Sequence, residues 1–161
     1  IDEGHTVAIH GYSHDYASIY KSDEAFMQNV YRLRDRLWAD FGYEATILRF
    51  PGGSSNTVSR QYSVGIMSRL AQRVQAEGFT YFDWNVSSGD GGSMKLSTDT
   101  LLENCTKDID TRDTSIILLH DSAEKPTTVE ALPDIIENIL ARPDTVILPI
   151  TENTRPIHHI E

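Results

Sequence analysis

The chain has 161 residues, about one domain's worth, and is long enough to bury a core without staples. Hydrophobic residues at 39% and charged residues at 24% are a globular balance that excludes a disordered chain. The formal net charge of −10 comes with no basic patch, which argues against nucleic acid as a partner, and no apolar run approaches the roughly 18 residues of a membrane span.

Thr6 to His10 reads as a short buried strand. Ser22 then caps a helix. Asp23 and Glu24 sit in its first turn, where the dipole favours acids, and Phe26, Val30, Leu33 and Leu37 form one apolar stripe. Gly42 is its natural stop. Ala45 to Arg49 is the next strand, ended by Pro51-Gly52-Gly53, and a second helix runs from about Val64 to Glu77 with Met67, Leu70 and Val74 inward. Thr80 to Val86 reads as a strand and Ser87 to Ser93 as a Gly- and Ser-rich loop. Thr98 to Asp110 is a helix capped by Ser97 or Thr98. Cys105, the only cysteine, lies in that helix as a small buried residue, and no internal disulfide can form. Ser115 to His120 is the most apolar strand. Thr128 to Ala141 is a helix in spite of Pro133, and Thr145 to Leu148 is a last strand. Strand and helix alternate with no hairpin signal, which implies right-handed crossovers and a parallel sheet, open or closed as a barrel, in one domain.

Ligands of parallel α/β folds sit at the carboxyl ends of the strands. Chemistry-bearing residues follow each of the first four predicted strands: His10 and His14, then Arg49 with Pro51-Gly-Gly, then Asp90, then His120 with Asp121. Two histidines four apart where a strand turns into a loop can converge on one ion, although such pairs also arise by chance among six histidines. His5 falls at the strand start and reads as structural or exposed, and His158 and His159 as surface residues of the tail. Arginine seldom ends an apolar strand unless it meets a carboxylate or a ligand, so Arg49 is either a strand-end ion pair or a binding group. The two glycines allow close backbone approach to an oxyanion, or mark a bare turn. His120 is either a satisfied core histidine or a general acid oriented by a nearby carboxylate.

In this order and spacing, Gly4-His5 with His10-Gly-Tyr-Ser-His14, Arg49-Phe-Pro-Gly-Gly53, Trp84-Asn-Val-Ser-Ser-Gly-Asp90 and Leu118-Leu-His-Asp121 resemble the NodB-type polysaccharide deacetylases, carbohydrate esterase family 4, from residue 4 to about residue 150. The resemblance implies an α/β fold, a NodB-type distorted (β/α) barrel of parallel strands, as a single domain over 1–161. It implies metal-dependent removal of N-acetyl groups from a peptidoglycan or chitin-like N-acetylglucosamine polymer, with acetate released, at an extracellular or cell-wall location. Esters of xylan are handled in the same family. The implied cofactor is a divalent metal, zinc first, with cobalt or manganese as alternatives. His10 and His14 resemble the ligand histidines, and Arg49 the arginine that positions a catalytic aspartate. Gly52 resembles the oxyanion N–H, Asp90 the acid that tunes the catalytic histidine, and His120 that histidine. Leu118 resembles the lining of the acetyl pocket.

Three departures matter. Gly91 stands where the family often has an aromatic, so the groove wall is open there or is supplied by Trp84; Asp83-Trp84 is rejected as the family's Asp-Trp motif because Asp83 is read as lying within a strand. Gly11 replaces the usual Ser or Thr after the first ligand histidine. The family's first strand ends in an Asp-Asp pair, general base and third metal ligand, and Asp2-Glu3 does not match it. The domain is therefore expected to be incomplete at its N-terminus. A second copy pairing at the open sheet edge would be one remedy. A catalytically incomplete glycan-binding or remnant domain is the alternative function.

Overall fold

The computed structural model describes residues 1–160. The chain forms two compact units, Ile1–Asp83 with the segment from Pro149 onward, and Trp84–Leu148.

In the first unit, helices α1 (Tyr16–Ile19), α2 (Asp23–Phe41) and α3 (Ile66–Ala76) accompany strands β1 (Ile47–Leu48) and β2 (Thr80–Tyr81). Ser22 caps α2, its side-chain oxygen accepting from the Ala25 N–H at 3.1 Å, and Gly42 ends it at φ 61°. The stripe does what its spacing predicts: Phe26, Met27 and Val30 are buried, with Leu33 and Leu37 partly so. Met67, Leu70 and Val74 of α3 face the same core. β1 and β2 are parallel, with Ile47 opposite Thr80 and Leu48 opposite Tyr81.

In the second unit, β3 (Val86–Ser87) pairs in parallel with β4 (Ile117–Leu118). Helices α4 (Thr98–Thr106) and α5 (Pro126–Leu140) close over Leu101, Cys105, Ala131, Ile135 and Ile139. Ser97 is the cap of α4. Pro126 occupies the first turn of α5, where a missing N–H does no harm, and Pro133 lies inside the helix. Buried Cys105 has its thiol pushed up to about 11 by desolvation, with Asp90's charge adding to the shift.

The parallel pairing expected from strand–helix alternation is present, in shorter pieces. Thr6–His10 is reduced to one bridge: the Ile9 N–H donates to Ile47 O and the Arg49 N–H to Ile9 O. The expected Thr80–Val86 strand is two strands, because the backbone changes partners midway. The Phe82 N–H donates to Leu48 O, the Asp83 N–H turns to Ile157 O, and those of Asn85 and Val86 both reach Ile116 O. Asn85 adds its side chain to the break, accepting from the Ile116 N–H and donating to Thr114 O. Thr145–Leu148 is no strand: among the described residues it has no ladder partner, and Val146 and Leu148 are 70% and 75% exposed. β-branched residues favour a strand only where a neighbouring backbone accepts the pairing. His158 is not the surface residue expected. Its ring stacks on Tyr81 at 3.8 Å between centroids and its Nε2 meets Tyr81 O at 3.0 Å.

Candidate active site

His10, His14, Arg49 and Gly52 belong to the first unit; Trp84, Asp90, Leu118 and His120 belong to the second.

His10 follows the Ile9 bridge, and its Nδ1 lies 2.8 Å from Arg49 O. A carbonyl accepts only, so the proton sits on Nδ1 and the lone pair on Nε2, the arrangement a metal ligand needs. The loop that carries His14 is held by Asn29: the Ser13 N–H donates to Oδ1 at 2.8 Å and Nδ2 donates to Ser13 O at 3.2 Å. This explains Gly11. Its φ is +101°, and a Cβ there would come within 2.6 Å of Asn29 Nδ2 and 2.9 Å of Ser13 O, so a Ser or Thr does not fit. The His10 and His14 ring centroids are 5.2 Å apart at 58°. Zinc–nitrogen bonds of about 2.1 Å at a tetrahedral angle put two ligating imidazole centroids roughly 5.4 Å apart, so the pair fits one ion. Catalytic zinc takes three protein ligands, and no cluster of three His, Cys, Asp or Glu side chains occurs among the described residues.

Arg49 is half-buried. Desolvation lowers its guanidinium's pKa while the charge of Asp83 opposes the shift, and no ion pair holds it among the described residues. Beyond it, Gly52 and Gly53 have φ 77° and 79°, the left-handed backbone that the paired glycines permit. A Cβ on Gly52 would run into the Tyr16 hydroxyl. The Gly53 N–H donates to Phe50 O at 2.8 Å and the Ser54 N–H to Asp83 Oδ1 at 2.8 Å, whereas the Gly52 N–H meets no acceptor among the described residues. A backbone donor without an acceptor among the described residues, on a turn of this kind, is able to donate to an anionic oxygen.

In the second unit, Leu118 and His120 lie on one face of the β4 line, while Ile117 and Leu119 turn to the α4–α5 core. His120 Nδ1 lies 2.7 Å from Asp90 Oδ1, and the His120 N–H donates to Asp90 Oδ2 at 2.8 Å. Ser88 Oγ donates to Oδ1 at 2.7 Å and Thr128 Oγ1 to Oδ2 at 2.9 Å. Burial alone would raise the Asp90 pKa; these bonds outweigh it and hold the carboxyl below its ordinary value. The ionised carboxylate keeps the His120 proton on Nδ1 and leaves Nε2 for proton transfer, on a side chain 41% exposed. The backbone at Gly91 lies against the same ring: a Cβ there would be 3.1 Å from His120 Cε1. Trp84 is half-buried at the start of this unit.

The family follows from comparison with known proteins. A family model described as polysaccharide deacetylase matches residues 1–66. The crystal structure of the catalytic domain of peptidoglycan N-acetylglucosamine deacetylase from Eubacterium rectale ATCC 33656 is similar to this chain at TM-score 0.93 and 41% identity, over 98% of this chain and 70% of that one. The chain belongs to the polysaccharide deacetylase family. Bacillus subtilis (strain 168) YheN is 28% identical over 141 residues, 85% of this chain and 46% of its own length. Peptidoglycan-N-acetylglucosamine deacetylase of Bacillus cereus is 26% identical over 140 residues, 85% of this chain and 47% of its own length. The deacetylase-family chain thus spans about half the length of these two curated relatives.

The expectation that Asp83 lies within a strand, one of two grounds beside the Trp84–Asp90 spacing for setting Asp83-Trp84 aside as the family's Asp-Trp motif, is not met: Asp83 lies past the end of β2, and the carboxylate that contacts His120 is that of Asp90. The actual place of Asp83 was missed. Asp83 is 1% exposed and gathers Ser54 and His159, residues distant in sequence from it and from each other. No local pattern signals such a junction.

Proposed function

We propose that this chain carries part of the catalytic groups of a metal-dependent deacetylase that removes N-acetyl groups from an N-acetylglucosamine glycan of the peptidoglycan or chitin-like class. The observation that carries the reading is the Asp90–His120 pair, with its 2.7 Å Nδ1–Oδ1 contact and a carboxylate saturated by four donors. The likeness to a peptidoglycan N-acetylglucosamine deacetylase supports the substrate class. Both units are read as parts of one NodB homology domain, whose complete form is a distorted (β/α) barrel.

His10 and His14 would hold a divalent ion, zinc by their imidazole chemistry with cobalt or manganese as alternatives, and the ion would polarise the acetyl carbonyl and the attacking water. The Gly52 N–H donates to the oxygen that becomes negative in the tetrahedral transition state. Arg49 supplies a desolvated positive charge for a carboxylate. Leu118 lines the pocket for the acetyl methyl, and Trp84 supplies an aromatic wall for the sugar. As the imidazolium, His120 gives its Nε2 proton to the departing sugar amine as the C–N bond breaks, while the attacking water's proton passes to a general base, the first acid of the family's Asp-Asp pair, which Asp2-Glu3 does not match. Asp90 stabilises the imidazolium that precedes that transfer. The products are acetate and a free amino sugar, at a cell-wall or extracellular location.

The test is acetate release from an N-acetylglucosamine oligomer by the metal-loaded protein, with bound metal measured by elemental analysis. His120→Ala lowers turnover by about 10²-fold or more with metal content unchanged. Unchanged turnover removes His120 from the mechanism. The presence of only two metal-ligand histidines among the described residues favours a second reading, a glycan-binding domain without turnover; retention of the oligomer with no acetate released would select it.

A further inference from the structure

The turn that carries the Gly52 N–H is held from several sides. Tyr20 Oη donates to Pro51 O at 2.7 Å, and Asn56 Nδ2 donates to Gly53 O at 2.9 Å. A further tie is Asp83, whose side chain is fully buried. Its Oδ1 accepts the Ser54 N–H at 2.8 Å. Its Oδ2 accepts the Ser54 hydroxyl and the His159 N–H, the latter at 2.8 Å. A fully buried carboxylate is expensive unless its oxygens are hydrogen-bonded, and here three donors from two distant segments converge on it. Of three consecutive donors, those of Gly53 and Ser54 are engaged, and the one without an acceptor among the described residues is that of Gly52. The charge of Asp83 also acts on Arg49, at the start of the same turn.

The arrangement resembles a Ser-His-Asp nucleophile site and is not one. The contacts of His159 with Ser55 Oγ at 3.2 Å and with Asp83 Oδ1 at 3.9 Å are both made by Nδ1, so the ring does not relay a proton between them.

We propose that Asp83 is a positioning residue: it fixes the Pro51–Ser54 turn, through the Ser54 N–H and hydroxyl, so that the Gly52 N–H is presented open to the oxyanion, and it clamps the C-terminal segment at His159 to the same point. The proposal rests on the deacetylase reading for its functional half and on geometry alone for its structural half. The side-chain contacts of Asp83 are with Ser54 and His159, so it acts through the turn. Its effect belongs in turnover rather than in ground-state binding, because an oxyanion donor acts on charge that develops in the transition state.

Two measurements on one variant decide it. In Asp83→Asn one acceptor oxygen becomes a donor, so one of the three bonds must break. Amide exchange followed residue by residue in this chain should show at least one of the Ser54 and His159 N–H groups, whichever faces the new NH2, exchanging at least 10-fold faster, with the middle of α2 unchanged. With the metal-loaded protein on an N-acetylglucosamine oligomer, kcat should fall at least 10-fold with KM within about 2-fold. Unchanged exchange at both Ser54 and His159 overturns the clamp. Faster exchange with unchanged kcat, or a loss confined to KM, overturns the positioning role and leaves Asp83 structural. If the unsubstituted protein releases no acetate, the deacetylase reading fails, and the exchange result still decides whether Asp83 holds the turn. Should Asp83→Asn not fold, Ser54→Ala removes one donor only. It should speed exchange of the residue-54 amide about 3-fold and lower kcat by a similar factor, and no change in either overturns the proposal.

Discussion

Asp90 shows how one residue is made useful by its neighbours. Desolvation works against its charge, and Ser88, the His120 ring, the His120 N–H and Thr128 together more than offset that penalty. A carboxyl whose folded pKa lies below its unfolded value of about 3.9 stabilises the fold above that pH, and the contribution is lost as pH falls through the folded pKa. Urea midpoints taken from pH 6 down to pH 2 should therefore decline more steeply below about pH 4 for the natural chain than for Asp90→Asn, which carries no titrating group there. Equal slopes would mean that the hydrogen bonds do not favour the ionised form. The candidacy of His120 was legible from its place after an apolar run, but its partner was legible only through family likeness. Asp90 and His120 are far apart in sequence, and a 2.7 Å contact is made by the parallel pairing of Val86 with Ile117 and Ser87 with Leu118.

At the scale of elements, α2 was read almost to the residue because its signals are local. A serine cap, two acids in the first turn, an apolar stripe and a terminal glycine all act within a few residues of one another. Gly42 has φ 61° and nothing within 4 Å of where a Cβ would stand, so its role is conformational rather than steric. Gly42→Ala should lower stability by about 1 kcal/mol, and Gly42→Asn by less, because asparagine tolerates the left-handed region better than alanine. Chemical denaturation checks both, and an equal loss for the two would point to a packing cause. Strands were read less well. Apolar β-branched runs located β1 and β4, but the lengths depended on partners the runs themselves do not name. In the Thr80–Val86 run, Asn85 substitutes its own amide for part of the ladder.

Across the whole molecule, two compact units each carry their own apolar core and one part of the candidate machinery. Thr145–Leu148 reads as a strand by composition and remains unpaired among the described residues, with Ile147 49% exposed between two still more exposed neighbours. Its amides should exchange at nearly the rate of an open peptide while those of Val86 and Ser88, which donate to Ile116 O and Leu118 O, stay protected. Protection at both places would show that the segment has a pairing partner in solution. Among the described residues no helix is long and apolar enough to cross a membrane.

By itself the sequence determined the helices with their caps, the parallel character of the strands, and the residue types that cluster after the strands, because each depends on short-range periodicity or on a motif of fixed spacing. The resemblance carried by four such motifs also led to the polysaccharide deacetylase family. Only the tertiary structure decided where the strands end and which carboxylate meets His120. It also decided that Gly11 is required by Asn29, and that Asp83 ties Ser54 to His159. These are contacts between residues tens of positions apart, and their energies depend on desolvation and on the exact placement of donors and acceptors. Both are properties of the packed interior and leave no local trace along the chain.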